Sequence, residues 1–390
     1  MKRLIFIIFV AGLIAITSCG VPENQKGLSK EEIKEGFVKL FNGKNLDGWK
    51  VYRGPAWHVE EGMLVGPSDS SGWIGTVDEY DNFVLRLEYW IDPGETGWSN
   101  SGIFFRADTT ASPWVDGYEV QIDLKDEKNP TGSIYNRVPT SLEQVREIAP
   151  EKQWNQVEIK AVGPRIQVWI NGQQLQDATL HVRDIGHIGV QQHHKGVTVK
   201  FKNIRIKKLT LDDAEKGWVS LFNGKNLDGW FIRGKAQWVV LDGILTGIDG
   251  MGHIYADPVL SDLEVRGMFR VSENGNSGLY FRANPPEDNP DGFPRGYEAQ
   301  INNHGDAFTG WLWKPGTPTG PAKRLVTRDN AWFSMRVKAV GDHIQIWVNG
   351  QLMTDYNDSE YKEGHFAIQG HNPGMKIEAR DLFYRDLSAK

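Results

Sequence analysis

Short runs in which apolar and polar residues alternate recur along the whole chain. In residues 157–176, VEIKAVGPRIQVWINGQQLQ, a Gly-Pro break separates two such runs, and Asn171-Gly172 follows the second. Alternation with a period of two predicts a strand with one buried face, and Asn-Gly between two strands predicts a tight hairpin. FVLRLEYWI and GIFFRA behave similarly, whereas long segments of helical period are missing. The pattern predicts an all-β chain of many short antiparallel strands.

The chain contains two copies of one unit. The decapeptide LFNGKNLDGW begins at residue 40 and again at residue 221, an offset of 181 residues, and further motifs follow in the same order. A repeat this long is a whole domain. We predict a first domain over 37–209, a linker over 210–217 and a second domain over 218–388, each a sandwich of two curved sheets of the jelly-roll type. The paired motifs are Asn100-Ser101-Gly102 with Asn276-Ser277-Gly278, Phe105-Arg106-Ala107 with Phe281-Arg282-Ala283, GYEVQI with GYEAQI, Trp169-Ile170-Asn171-Gly172 with Trp347-Val348-Asn349-Gly350, and Gly186-His187-Ile188 with Gly364-His365-Phe366.

The first residues have the pattern of a bacterial export signal. Two basic residues precede an apolar stretch from Leu4 to Ile16, which is too short for a usual bilayer span but suits a signal peptide. Ile16-Thr17-Ser18-Cys19 resembles a lipobox, so we predict a lipoprotein signal peptide over 1–19, lipidation of Cys19, anchoring in the bacterial cell envelope on its periplasmic or outer side, and a tether or short helix over 20–36. A plain secretory signal with an incidental cysteine is the alternative. Cys19 is the only cysteine, which excludes disulfide bonds from the mature fold.

Composition and charge exclude several classes of protein. Of 390 residues, 39% are hydrophobic and 24% are charged, the balance of an ordinary globular protein rather than a disordered or multispanning one. The formal net charge of -6 comes without a basic run long enough to follow a phosphate backbone. Nucleic acid is therefore not expected as a partner.

One strand in each unit carries an unusual row of polar residues. In GYEVQID, residues 117–123, Glu119, Gln121 and Asp123 share one face of the strand, and GYEAQIN at 296–302 repeats the pattern. The row is either the solvated face of a half-buried strand or a binding surface. Glu119 and Asp123 lie about 13 Å apart along a strand, whereas paired glycosidase carboxylates need about 5–9.5 Å. The strand alone therefore does not supply an ordinary glycosidase pair.

Recurring histidines and arginines could carry chemistry. His193 and His371 each follow a glutamine by two positions, and imidazole can exchange a proton near neutral pH or bind a metal. Arg106 and Arg282 follow aromatic strand residues, where each guanidinium needs either a structural ion pair or a substrate oxygen. His253 and His304, present only in the second unit, are weaker candidates.

The aromatic content points to carbohydrate. The chain has 15 Trp, and Trp169 and Trp347 stand on the polar side of their predicted strands. Aromatic faces stack on sugar rings while neighbouring polar groups bind the hydroxyls. The alternative is that these rings cover a sheet beneath loops.

The ordered set LFNGKNLDGW, NSGIFFR, GYEVQI, WING and GHIGVQQH resembles the 3-keto-disaccharide hydrolase family, and both units match over nearly their full lengths. The resemblance implies two tandem concanavalin A-like (jelly-roll) β-sandwich domains. It also implies glycoside substrates that are oxidised at C3 of the sugar. The C3 ketone acidifies the proton on C2, so one base can start elimination of the glycosidic oxygen, and water then adds.

On this resemblance we assign catalytic roles in both units. His193 or Glu119 is the base or a metal ligand, and Arg106 and Gln121 contact the oxyanion or a hydroxyl group, with a divalent metal ion near the enolate oxygen left open. Whether the reaction is a hydrolase or a lyase reaction is also open. The second-unit counterparts are His371, Glu298 and Arg282. The predicted substrate contacts are Gln121, Asp123, Asn100, Trp73 and Gln191 in the first unit and Gln300, Asn276 and Gln369 in the second.

The first unit matches the family pattern better. The family often has Gln-Asp-His where the two units have Gln191-Gln192-His193 and Gln369-Gly370-His371, and His253 replaces Trp73 in the second unit. We therefore place catalysis in the first unit, without excluding the second or their junction. The rival hypothesis is a non-catalytic carbohydrate-binding lipoprotein on the cell surface.

Overall fold

A computed structural model of the chain describes residues 22–109, 112–209, 217–289 and 292–388. The predicted signal peptide and Cys19 lie outside the described residues, as does almost all of the predicted linker, so the lipid anchor remains a prediction. No helix in the described ranges is both long and apolar enough to cross a membrane.

The first domain consists of two antiparallel sheets. One has eight strands in the order β11-β10-β9-β6-β13-β4-β3, with β1 paired to β13, and the other has five in the order β2-β5-β12-β7-β8. The strands are β1 (Val38–Lys39), β2 (Trp49–Arg53), β3 (His58–Glu60), β4 (Met63–Val65), β5 (Gly72–Thr76), β6 (Phe83–Asp92), β7 (Ser101–Ala107), β8 (Tyr118–Ile122), β9 (Asn155–Val162), β10 (Arg165–Ile170), β11 (Gln173–Thr179), β12 (His187–Gln192) and β13 (Thr198–Lys208).

The second domain repeats this architecture. Its eight-stranded sheet has the order β16-β17-β28-β19-β24-β25-β26, with β14 paired to β28, and its seven-stranded sheet has the order β15-β18-β27-β20-β21-β22-β23. The prediction of two tandem all-β sandwiches is therefore confirmed. The strands are β14 (Val219–Ser220), β15 (Trp230–Gly234), β16 (Gln237–Leu241), β17 (Ile244–Ile248), β18 (Gly252–Leu260), β19 (Leu263–Val271), β20 (Asn276–Asn284), β21 (Arg295–Asn302), β22 (Leu312–Lys314), β23 (Thr317–Gly320), β24 (Phe333–Val340), β25 (His343–Val348), β26 (Gln351–Asn357), β27 (Gly364–Gly370) and β28 (Lys376–Asp386).

Helices are few among the described residues. The α-helices are α1 (Lys30–Glu35) and α2 (Leu142–Ile148), and the 3-10 helices are Glu23–Gln25 and Gly94–Thr96. Helix α1 begins at a capping box and ends at a left-handed glycine. Its Glu35 lies 3.4 Å from Arg86 on β6, so this part of the predicted tether rests on the first domain.

The predicted Asn-Gly hairpin is present between β10 and β11. Asn171 and Gly172 both have positive φ values, 48° and 82°, and Ile170 pairs directly with Gln173. A two-residue turn of this kind needs positive φ at both positions, which Asn and Gly tolerate best. The sequence signal and the turn therefore agree.

The inner face of β8 belongs to the core of the first domain. Tyr118, Val120 and Ile122 are buried in the cluster that fills the space between the two sheets. Because strand side chains alternate, the polar residues of β8 point to the opposite, outer face of the five-stranded sheet. We call this outer face, and its counterpart on the seven-stranded sheet of the second domain, the polar face.

Candidate functional site on the polar face

Strand pairing brings the predicted site residues of the first domain into one row. Trp73 on β5 pairs with Gln191 on β12, and Gly102 on β7 pairs with Gln121 on β8. The register of β12 on β7 places Gln191 beside Gly102. These four residues therefore cross the sheet side by side, although they are far apart in the sequence.

Glu119 covers the centre of this row. It lies two residues before Gln121 on β8, is 3% exposed, and extends over Gly102 so closely that a Cβ atom at Gly102 would overlap its carboxyl group. Burial raises the pKa of Glu119 well above its ordinary value. Burial therefore favours the protonated, neutral form of this side chain.

Asp123 anchors a pocket at one end of the face. Its Oδ2 accepts hydrogen bonds from Trp98 Nε1 at 2.8 Å and from Asn100 Nδ2 at 3.1 Å. The buried Asn100 Oδ1 and Gln191 Oε1 have no partner among the described residues. Buried polar atoms of this kind usually bind water or a ligand. The pocket has a volume of about 510 Å³ and is lined by Trp98, Asn100, Gln121, Asp123, Lys125, Asp126, Tyr135 and His193.

His193 lies in this pocket beside a tryptophan. The ring of Trp98 stands edge-on to His193 at 5.7 Å and stacks on His194 at 4.7 Å, while the two imidazole Nδ1 atoms are 3.1 Å apart. Partial removal from water lowers the pKa of His193, and the neighbouring His194 lowers it further, against the opposing effect of Asp123. His193 is therefore neutral at neutral pH and able to accept a proton.

The other half of the polar face is aromatic. Trp73 stacks on Tyr52 at 4.6 Å and meets Phe104 edge-on at 5.5 Å. Trp169 and Trp347, in contrast, belong to β10 and β25 in the eight-stranded sheets. These two rings therefore lie on the other sheet of each domain and not on the polar face, and their contact with carbohydrate stays a prediction.

The second domain has the same register with different residues. His253 pairs with Gln369, Gly278 pairs with Gln300, and Tyr280 pairs with Glu298. Glu298 covers Gly278 as Glu119 covers Gly102. Asn276, at the end of the same face, pairs with Asn302 where the first domain has Asp123.

A hydrogen-bonded chain crosses the face of the second domain. Tyr280 Oη donates to Glu298 Oε2 at 2.7 Å, and Gln369 Nε2 donates to Tyr280 Oη at 3.1 Å. Burial raises the pKa of Glu298 to about 8, and the Tyr280 hydroxyl partly offsets this increase. Burial also lowers the pKa of His253 to about 3 and lowers that of His371.

Tyr280 was not singled out from the sequence and His253 was only a weaker candidate, yet the structure places both on the polar face. The available signal was the exchange of Phe104 for Tyr280 between the two copies of the Phe-Arg-Ala motif. His304, the other weak candidate, bonds Asp329 Oδ2 at 2.7 Å in an exposed position beyond β21.

Arg106 and Arg282 do not contact the polar face, which corrects the prediction that they bind a substrate oxygen. Arg106 has a φ of 47° within a β-bulge, where Phe105 and Arg106 together oppose Ile188. The bulge interrupts alternation, and Arg106 Nε donates to the carbonyl of Asp81 at 2.8 Å while Nη1 donates to that of Gly163 at 2.7 Å.

Arg282 repeats this arrangement in the second domain. Its φ is 48°, its Nε donates to the carbonyl of Ser261 at 2.7 Å, and its Nη1 donates to that of Gly341 at 2.8 Å. Both guanidinium groups are buried and tie turns to the sheet. Their recurrence reflects folding rather than substrate contact.

The predicted metal ion is not supported by a ligand set. Within the described residues, no three His, Cys, Asp or Glu side chains are grouped so that they could hold a metal ion. The metal remains an untested prediction.

Comparison with known proteins agrees with the two-domain organisation. The family model described as the 3-keto-alpha-glucoside-1,2-lyase-like domain matches residues 36–207 and 217–389. A 3-keto-disaccharide hydrolase of Bacteroides thetaiotaomicron is 24% identical over 158 residues, 32% of this chain and 52% of that protein. A levanase of a Bacillus species, strain L7, is 22% identical over 376 residues, 86% of this chain and 35% of that protein.

Among solved structures, a protein of Parabacteroides distasonis, named as a proposed glycosyl hydrolase, is 26% identical, with 47% of this chain and 98% of that chain covered and a TM-score of 0.40. The matches to the curated relatives span about half of the hydrolase and about a third of the levanase. Because the family model matches both domains and thereby most of the sequence, the chain belongs to the 3-keto-alpha-glucoside-1,2-lyase-like family.

Proposed function

We propose that the polar face of the first domain cleaves glycosides that carry a ketone at C3 of the sugar. The observation that carries the proposal is the buried Glu119 carboxyl group, which covers Gly102 at the centre of the row formed by Gln191 and Gln121. Membership of the family and the name of the Bacteroides relative support the substrate class.

The two halves of the face suit the two sides of a sugar. The rings of Trp73 and Tyr52 offer an apolar surface, while the unpartnered Asn100 Oδ1 and Gln191 Oε1 offer acceptors for hydroxyl groups. The ketone at C3 would direct the ring so that its acidic C2 hydrogen faces the imidazole.

His193 is the proposed base and Glu119 the proposed acid. The neutral imidazole takes the C2 proton, the electron pair forms an enolate with the C3 carbonyl, and the C1–O bond then breaks as the enolate collapses. Glu119, held in its protonated form by burial, gives its proton to the leaving oxygen. The product is an unsaturated ketone, and addition of water across its C1–C2 double bond completes a hydrolysis.

A turnover assay with hydrogen exchange tests this proposal. The full mature chain is incubated in D2O with 3-keto-glucosides of several leaving groups, and NMR follows leaving-group release and loss of the C2 hydrogen. We expect both in the wild type. Glu119→Gln should lower release by about 10²–10⁴-fold, the usual contribution of a general acid, while C2 exchange continues. His193→Asn should suppress both.

Matched variants distinguish the domains and the folding effects. Glu158→Gln, which removes a carboxylate paired with Arg86 on the other sheet, should leave turnover unchanged. If Glu298→Gln rather than Glu119→Gln abolishes release, catalysis belongs to the second domain. If the wild type neither releases a leaving group nor exchanges the C2 hydrogen, the proposed activity is wrong and the carbohydrate-binding alternative is favoured.

A further inference from the structure

The proposed reaction needs a hydrogen-bond donor at the C3 oxygen of the sugar. When the C2 proton leaves, an electron pair forms the C2–C3 double bond and the C3 oxygen takes the negative charge. A donor already aimed at such an oxygen is commonly one of the largest contributions to catalysis. Arg106, which was predicted to contact this oxygen together with Gln121, donates instead to main-chain carbonyl groups. Another donor beside the polar face is therefore required.

Tyr135 lies beside the buried acid, next to β8 on the side away from β7. Its backbone N–H donates to the carbonyl of Glu119 at 2.9 Å, and the preceding Ile134 forms an isolated bridge with β8. Ile134 is buried in the core of the first domain, whereas Tyr135 lines the same pocket as His193. The chain therefore directs the phenol outward, toward the proposed base.

The phenol is accessible to a ligand. Tyr135 is partly exposed, and the pocket that it shares with His193 has a volume of about 510 Å³. Pockets of this size hold small molecules and bury most of their surface. One sugar ring in the pocket can therefore contact both the imidazole and the phenol.

The carboxylates of this pocket are already compensated. Asp123 accepts four hydrogen bonds, two from side chains and two from backbone N–H groups. Asp126 accepts two from backbone N–H groups, and the cationic Lys125 also lines the pocket. Hydrogen bonds to a carboxylate stabilise its charge. These acids therefore leave a donor such as Tyr135 available to the ligand.

The surroundings keep the phenol protonated. Burial raises the pKa of Tyr135, as do the carboxyl groups of Glu119 and Asp126, while a hydrogen bond with the Asn136 side chain opposes the increase. Because that bond favours the charged form, the Asn136 amide donates to the phenol oxygen. Among the described residues nothing accepts the phenol proton. The hydroxyl group can therefore donate to a ligand without giving up its proton.

A donor of this kind matches a ketone. A carbonyl oxygen can only accept hydrogen bonds, and the phenol offers it a proton. As the C2 proton leaves, negative charge develops on the same oxygen, and the hydrogen bond to it becomes stronger. The contact therefore orients the ketone first and stabilises the enolate afterwards.

The second domain has a different side chain at this position. Trp313 pairs with Glu298 on β21, just as Tyr135 lies against Glu119 on β8. The second domain instead bonds a tyrosine hydroxyl, that of Tyr280, to the glutamate itself. A phenol at this register position is therefore a feature of the first domain.

We propose that the Tyr135 hydroxyl binds the C3 oxygen of the oxidised sugar and stabilises the enolate while His193 removes the C2 proton. Tyr135 keeps its own proton throughout, and Glu119 remains the donor to the leaving oxygen. This inference rests on the proposed function and names the residue through which that site recognises its ketone.

Removal of one oxygen atom tests this role. The full mature chain and its Tyr135→Phe variant are incubated in D2O with 3-keto-glucosides, and NMR follows C2 exchange and leaving-group release. We expect Tyr135→Phe to lower both rates by about 10²–10³-fold, the usual effect of removing one donor to an oxyanion. Glu119→Gln, in contrast, should lower release alone. Trp313→Phe, at the same register position of the second domain, is the matched control and should keep both rates.

Three results would overturn the role of Tyr135. They are C2 exchange at the wild-type rate in Tyr135→Phe, a loss of release without a loss of exchange, and an equal loss in Trp313→Phe. The second result would make Tyr135 a donor to the leaving oxygen. A wild type that neither exchanges the C2 hydrogen nor releases a leaving group would refute the proposed activity and this role together. An active wild type with an equally active Tyr135→Phe variant would refute only the role.

Discussion

The two domains place a glutamate over a glycine at the same register position but surround it differently. Glu119 lies beside Phe104, and burial alone raises its pKa. Glu298 receives a hydrogen bond from Tyr280, which partly offsets the effect of burial. The comparison teaches that one hydroxyl group changes how strongly a buried acid holds its proton while the backbone stays the same.

The side chains around Glu119 and Glu298 also differ between the two domains. The first domain combines the buried acid Glu119 with a neighbouring pocket that is lined by His193 and Asp123. In the second domain, Gln369 and Tyr280 form a hydrogen-bonded chain to Glu298, and Asn302 stands in place of the Asp123 carboxylate. The same backbone register therefore carries two different sets of hydrogen-bonding groups.

The largest expected effect concerns stability against pH. The pKa of Glu298 is about 8 in the folded chain and 4.5 ordinarily. Between these values the folded chain binds the extra proton, so the free energy of unfolding falls as pH rises from about 4.5 to about 8. Glu298→Gln should remove this loss and be more stable than the wild type at pH 8.5 by on the order of 4 kcal/mol.

Urea unfolding at pH 5 and pH 8.5 measures this difference. Glu119→Gln should show a change of the same sign, because burial raises the pKa of Glu119 as well. The surface variant Glu158→Gln should follow the wild type. If the free energy of unfolding changed with pH by the same amount in the wild type and in Glu298→Gln, the raised pKa of Glu298 would be contradicted.

An intermediate effect is expected at Gly102. A Cβ atom there would overlap the carboxyl group of Glu119, so Gly102→Ala should displace the proposed acid and lower release of the leaving group at least about tenfold. In a Glu119→Gln background, Gly102→Ala should lower the rate of leaving-group release very little further, because the side chain that it displaces no longer donates a proton. Additive losses in this double-variant cycle would show that Gly102 acts independently of Glu119.

The smallest expected effect exchanges the neighbours of the two glutamates. Phe104→Tyr brings a donor to Glu119, which should lower the pKa of that carboxyl group. In the proposed mechanism the protonated acid is the active form, so the decline of kcat/KM at high pH should move to lower pH. A pH–rate profile measures the shift, and Phe104→Leu, which adds no hydroxyl, is its control. A shift in the opposite direction would contradict the role of Glu119 as an acid.

Much of the architecture could be predicted from local pattern. Alternation around Ile166 and Val168 indicated strands, Asn171-Gly172 indicated a hairpin, and the repeated decapeptide indicated two domains. The polar row of β8 was visible because alternation holds there. Arg106 was misassigned because a bulge, which depends on the neighbouring strand, breaks the alternation at that residue.

The sequence by itself determined the repeated unit, the strand periodicity and the separation of apolar and polar faces, since these depend on residues close together in the chain. Only the tertiary structure decided that Glu119 covers Gly102, that Gln191 stands beside it and that Arg106 points elsewhere. Register across strands and loss of hydration set those positions and the pKa of the buried acid, and both arise from contacts between residues distant in sequence.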